Sequence, residues 1–160
     1  MTEQESYVQV LMRTLQKQVE TLSDILETTK EQSRIADAPD FDEVMLEKTL
    51  NRKEVLIARL NELDDGFISV YERVRKQIKD NQDDYKEDIR QMQELIKRCT
   101  DLGVEIKVLE SRNRDKLVQC FSNKQKEYGS QKTAATVASH YSQAMNNAKV
   151  VDSFFLDRKK

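Results

Sequence analysis

The chain has little of what makes turns and sheets. Its 160 residues include three Gly, one Pro, two Cys, one His and no Trp, and aromatics make up 6%. Globular chains average about 7% Gly and about 5% Pro, so this depletion favours long helices joined by few turns. Hydrophobic residues reach 38%, below the usual ~45–50%, which implies a narrow core and a large polar surface. No apolar run approaches the ~18–20 residues of a membrane span. The acidic start Met1-Thr2-Glu3-Gln4-Glu5 does not read as a signal peptide, so the expected location is the cytoplasm.

Catalytic constellations are missing as well. The single histidine, His140, has no nearby carboxylate to orient it, so a nucleophile–base pair is hard to assemble. Gly66, Gly103 and Gly129 are isolated, which excludes the glycine-rich phosphate loops. No Glu-x-x-His pattern suggests a di-metal bundle centre. The expectation is a protein that is not an enzyme and holds no cofactor, metal or small-molecule substrate. Cys99 and Cys120 stand 21 positions apart on one expected helix, a rise of about 32 Å. A disulfide needs Cα atoms ~4.4–6.8 Å apart, so both are read as buried reduced thiols on the apolar face.

Net charge is −2. Residues 1–127 hold 22 Lys+Arg and 27 Asp+Glu, whereas residues 128–160 hold five and two. Neither part has the clustered basic footprint of a nucleic-acid binder. The interspersed charges of the body suit a solvated helix surface.

What is present is helical periodicity. In a first helix over about residues 3–34, Val8, Met12, Leu15, Val19, Leu22 and Leu26 alternate steps of four and three, the mark of a heptad seam. Leu11 and Ile25 widen it, as a helix with more than one neighbour requires. Pro39 breaks the pattern, and Asp40 with Glu43 reads as a capping-box variant. The second helix, over about residues 41–79, carries Leu46, Leu50, Ile57, Leu60, Phe67, Tyr71, Val74 and Ile78. Lys53 and Asp64 fall on the same phase; Leu56 and Leu63 are expected to take over the contact there. Gly66 marks either a tolerated interruption or a kink. Residues 80–84 are rich in Asp and Asn and read as a turn. The third helix, over about residues 84–126, keeps phase through Tyr85, Ile89, Met92, Ile96, Cys99, Ile106 and Leu117, interrupted by Gly103, Glu110 and Asn113. A polar seam residue such as Asn113 can fix register at a cost in stability. The expected fold is all-α: an elongated up-down bundle of three long antiparallel helices (residues 1–127) followed by a C-terminal helix or conditionally ordered tail (residues 128–160).

Tyr128-Gly129-Ser130 ends the third helix, with Gly129 suited to the C-terminal position. Beyond it Ala, Ser and Thr dominate, and Ala134, Ala138, Tyr141, Met145, Ala148, Val151 and Phe155 form a weak helical face. Two readings stay open: a packed fourth helix, or a segment that orders on a partner. Phe154-Phe155-Leu156 places three large apolar residues together, which need a surface to cover them.

Three segments carry a family resemblance. Glu47-Lys48 with the run Lys53-Glu54-Val55-Leu56-Ile57-Ala58-Arg59-Leu60, the run Ile106-Lys107-Val108-Leu109-Glu110-Ser111-Arg112-Asn113, and the ending Phe154-Phe155-Leu156-Asp157-Arg158-Lys159-Lys160 are similar to the pattern of FlgN-type flagellar export chaperones. The resemblance implies a cytoplasmic chaperone of flagellar type III export. Such a protein binds the C-terminal helices of the hook-associated (hook–filament junction) proteins, prevents their premature assembly and delivers them to the export gate. It places the cargo contact on Val137, Tyr141, Met145, Val151, Phe154 and Phe155, and offers Tyr128 and Tyr141 as contacts to an export gate component. A moderate-affinity helix-in-groove contact suits that task. The competing readings are a structural coiled-coil adaptor without an export role, which predicts an obligate elongated dimer, and a ligand- or metal-binding bundle.

Overall fold

A computed structural model describes the backbone of residues 3–128 and the side chains of residues 7–124. The described chain is all-helical: α1 (Glu3–Asp37), α2 (Glu43–Asp80) and α3 (Lys86–Tyr128). At 35, 38 and 43 residues they are matched in length, and no described residue is in a strand.

The helix ends differ from the sequence expectation near Pro39. Proline disfavours helix at the residue before it, Ala38, and cannot itself continue one, so α1 runs on to Asp37. The cap of α2 is Asp42, not Asp40. Asp42 is extended (φ −98°, ψ 98°) and its Oδ1 accepts from the Met45 amide at 3.1 Å, as an N-cap carboxylate does. Glu43 follows in the first turn, where a negative charge complements the helix dipole. At the other end of α2 the Asn81 amide returns to the Gln77 carbonyl at 3.0 Å, and its side-chain Nδ2 donates to the same oxygen at 3.0 Å. α2 passes through Gly66 as uninterrupted helix.

α1 is the element that both others share. It packs closely along α2 and along α3, whereas no Cα of α2 lies within 8 Å of a Cα of α3. Where α2 and α3 meet, they meet through side chains. Along α1 and α3 the partners ascend together: Thr29 with Glu110, Ser33 with Asn113, Ala36 with Cys120. Between α2 and α3 they run in opposite order: Lys53 with Glu110, Glu43 with Lys124.

The apolar core is in two pieces. The larger runs from Val8, Leu11 and Leu15 through Leu26, Ile57 and Ile106. The smaller comprises Leu46, Leu50, Leu117 and Phe121, with Ile35, Ala36 and Phe41 packed against it. Phe41 and Phe121 meet edge-to-face at 5.0 Å, a favoured aromatic geometry. Polar side chains separate the two pieces, and three seam expectations are corrected there and nearby. Lys53 is itself buried, while Leu56 beside it, and Leu63 beside Asp64, are only half-buried. Tyr71 is on the seam phase yet 36% exposed. Cys120 is only partly buried, its thiol facing the Ala36 carbonyl at 3.5 Å, although Cys99 is fully buried. Both thiols are free.

Candidate functional site

The polar layer between the two core clusters draws on all three helices. α1 supplies Thr29, Gln32 and Ser33, α2 supplies Thr49 and Lys53, and α3 supplies Glu110 and Asn113. Lys53 and Glu110, each 2% exposed, form an ion pair across the gap between α2 and α3. Lys53 Nζ also donates to Gln32 Oε1 at 2.9 Å. Gln32 Nε2 donates to Thr49 Oγ1 at 3.2 Å, and the Thr49 hydroxyl donates to the Leu46 carbonyl at 2.6 Å. The chain is directional, because an ammonium only donates and the amide oxygen must face it.

Asn113, fully buried, ties the other side. Its Nδ2 donates to the Thr29 carbonyl at 3.0 Å, and its Oδ1 accepts from Ser33 Oγ at 2.7 Å. The Thr29 hydroxyl donates to the Ile25 carbonyl at 2.7 Å, so its 3.4 Å approach to Glu110 Oε1 is secondary. Burial pulls the Lys53 ammonium down from its ordinary value to about 7. The Glu110 carboxylate and the Gln32 carbonyl are the groups that offset this loss of hydration for the charged form. Chemically the layer is a register lock. Its side chains bond to one another across the three helices, while Glu110 Oε2 is buried without a hydrogen-bond partner.

The other end of the α2–α3 gap is open. A cleft of about 660 Å³ lies between the C-terminal half of α2 and the N-terminal half of α3. Its apolar lining is Phe67, Tyr71, Ile78, Ile89, Met92 and Ile96, with Phe67 and Tyr71 stacked at 5.8 Å. Arg75, Lys76 and Lys79 add positive charge, Gln82 and Gln93 complete the wall, and no carboxylate lines it. Among the described residues no three His, Cys, Asp or Glu side chains gather as a metal would need, and no helix is long and apolar enough to cross a membrane.

The sequence-predicted cargo residues Val137, Tyr141, Met145, Val151, Phe154 and Phe155 lie outside the described residues, as does the side chain of Tyr128, whose backbone ends α3. Sequence reasoning missed the polar layer as a unit. Its signal was present: each seam gives up large apolar residues for polar ones, at Thr29–Ser33, at Lys53 and at Glu110–Asn113. Three polar interruptions that can stand side by side are better read as one layer than as three defects. The open cleft carried no such signal, because Tyr71, Ile89 and Ile96 keep the phase of a closed seam.

Comparison with known proteins adds no relative: no family model, no curated protein and no solved structure matches this chain.

Proposed function

We propose that this chain is a FlgN-type export chaperone: a cytoplasmic, non-enzymatic protein that binds the C-terminal helices of hook-associated flagellar proteins, prevents their premature assembly and hands them to the export gate. The observation that supports this reading is a convergence. Two of the segments that carry the family resemblance, around Lys53 and around Glu110–Asn113, are far apart in sequence and share one buried layer. A surface heptad match made by chance has no reason to bring its polar residues together inside the fold. In this reading the body is an up-down-up bundle with antiparallel neighbours, and residues 128–160 form a fourth helix or order on cargo. The cargo contacts are Val137, Tyr141, Met145, Val151, Phe154 and Phe155, with Tyr128 or Tyr141 meeting the gate.

Titration calorimetry of the full chain against synthetic C-terminal segments of hook-associated proteins tests the proposal. Saturable one-to-one binding is expected, weakened at least about tenfold by joint Phe154→Ala and Phe155→Ala replacement, the scale of an aromatic anchor. Absence of binding, or binding unmoved by that replacement, rejects the assignment of cargo or of tail respectively.

A further inference from the structure

We infer that residues 129–160 lie along the α2–α3 gap as a fourth helix, antiparallel to α3, and that Phe154, Phe155 and Leu156 cover the cleft near Phe67 and Ile96. The seat does not depend on what the tail binds. On the export reading above, it adds that cargo must draw Phe154 and Phe155 away from the cleft.

Three observations carry it. The first is the arrangement of the body. α1 packs along both other helices, whereas no Cα of α2 lies within 8 Å of a Cα of α3. The cleft is lined by α2, α3 and the turn between them, with no residue of α1. Three long helices so arranged leave one corner of a four-helix bundle between α2 and α3. The wall at that corner is not bare: Phe67 and Tyr71 each hold a contact beyond their mutual stack.

The second is reach. α3 ends at Tyr128, at the closed end, where Lys124 faces Glu43 at 3.8 Å. Ile96, the cleft residue of α3 nearest that end, lies 32 positions before Tyr128, about 48 Å along the helix. Residues 130–160 contain neither Gly nor Pro, so no helix breaker interrupts them. An extended connection over residues 129–133 covers up to ~16 Å, and a helix from Ala134 to Leu156 covers ~33 Å more. That brings Phe155 within a turn of Ile96. A connection this short also returns the chain antiparallel to the helix it leaves.

The third is size. Over the closed part the gap is filled by the Lys53–Glu110 pair and the Phe41–Phe121 contact, so only small side chains fit above it. The helical face of the tail begins with Ala134 and Ala138 and ends with Val151 and Phe155. It is small over the filled stretch and large over the cleft.

The test uses the full chain without cargo. A nitroxide on Ser153→Cys, in a chain carrying Cys99→Ala and Cys120→Ala, should broaden the amide signals of Phe67 and Ile96. Leu46 and Leu117, at the closed end, should stay sharp. Broadening at the closed end instead, or nowhere in the body, overturns the seat. Spin-labelled chain mixed with isotope-labelled chain free of nitroxide should show no broadening; broadening in the mixture makes a second copy the occupant and overturns it too. With the native cysteines kept, Phe154→Ser/Phe155→Ser should speed alkylation of Cys99, one turn beyond Ile96, at least about tenfold by easing local opening. An unchanged rate overturns the Phe anchors and with them the seat. Cargo enters none of these measurements, so failure of the seat and failure of the export reading are told apart.

Discussion

The two ends of the α2–α3 gap solve the same spacing problem in opposite ways. At one end the gap is bridged by long polar side chains, Lys53 to Glu110, and sealed by the Phe41–Phe121 contact. At the other it is left open and apolar, with Tyr71 a third exposed on the phase of a core residue. No Cα of α2 comes within 8 Å of a Cα of α3, so contact between the two helices is made by side chains alone. They need long side chains that reach, or they leave a cleft. A buried ion pair contributes little net stability, since desolvating both charges offsets most of their attraction. Its contribution is directional: only one register puts Lys53 beside Gln32 and Glu110 together. The closed end therefore fixes how the helices align, and the open end is freed to present apolar surface.

The sharpest way to break this comparison is to remove one partner of the ion pair. Lys53→Met leaves the Glu110 carboxylate buried without its cation and should cost about 3–5 kcal/mol of stability in denaturant unfolding. Adding Glu110→Leu removes the stranded charge and should restore most of that loss. If the double variant is as unstable as the single one, the layer holds the fold by packing rather than by charge compensation. The repaired protein would also reveal the lock's purpose: a stable double variant with a changed oligomeric state is the expected sign of lost register.

A smaller effect distinguishes the ends from each other. Asn113→Ala removes one buried and one part-buried hydrogen bond, and the Ser33 hydroxyl keeps its bond to the Thr29 carbonyl at 3.2 Å, so the cost should be about 1–3 kcal/mol. Tyr71→Ala at the open end loses a half-solvated ring stacked on Phe67 and should cost no more than about 1 kcal/mol. Equal costs in urea titrations would mean that the cleft is packed as tightly as the lock.

How far each end was legible in the sequence follows from the same contrast. The three helices, their lengths and most of their buried faces follow from periodicity, because Leu, Ile and Val at steps of three and four leave little choice. Asn113 was legible as a register residue. Lys53 was not legible as a buried residue because Leu56 beside it offers an apolar substitute, and periodicity does not show that α2 and α3 meet only through side chains. The cleft was illegible for a related reason. Heptad phase states which way a side chain points but not how far away the next helix stands, so Ile89 and Ile96 read alike whether the seam is closed or open.

The smallest perturbation leaves the sequence untouched and asks whether the open end also moves more easily. Cys99 lies one turn beyond Ile96, fully buried, and burial pushes its thiol up to about 12. Cys120 sits at the closed end, partly exposed, its thiol also raised by burial and by nearby Asp37. A raised pKa keeps the Cys99 thiol protonated at pH 8, so little of it is thiolate, the reactive form. In the native protein Cys120 should therefore react first with an alkylating reagent, simply because it is accessible. Raising urea below the unfolding midpoint should reverse the trend in rates: Cys99 labelling should accelerate first, through local opening of the few contacts that close the cleft end, while Cys120 waits for the polar layer to yield. Simultaneous acceleration of both at the global transition would show that lock and groove unfold as one unit, and the difference between the ends would then be one of shape alone.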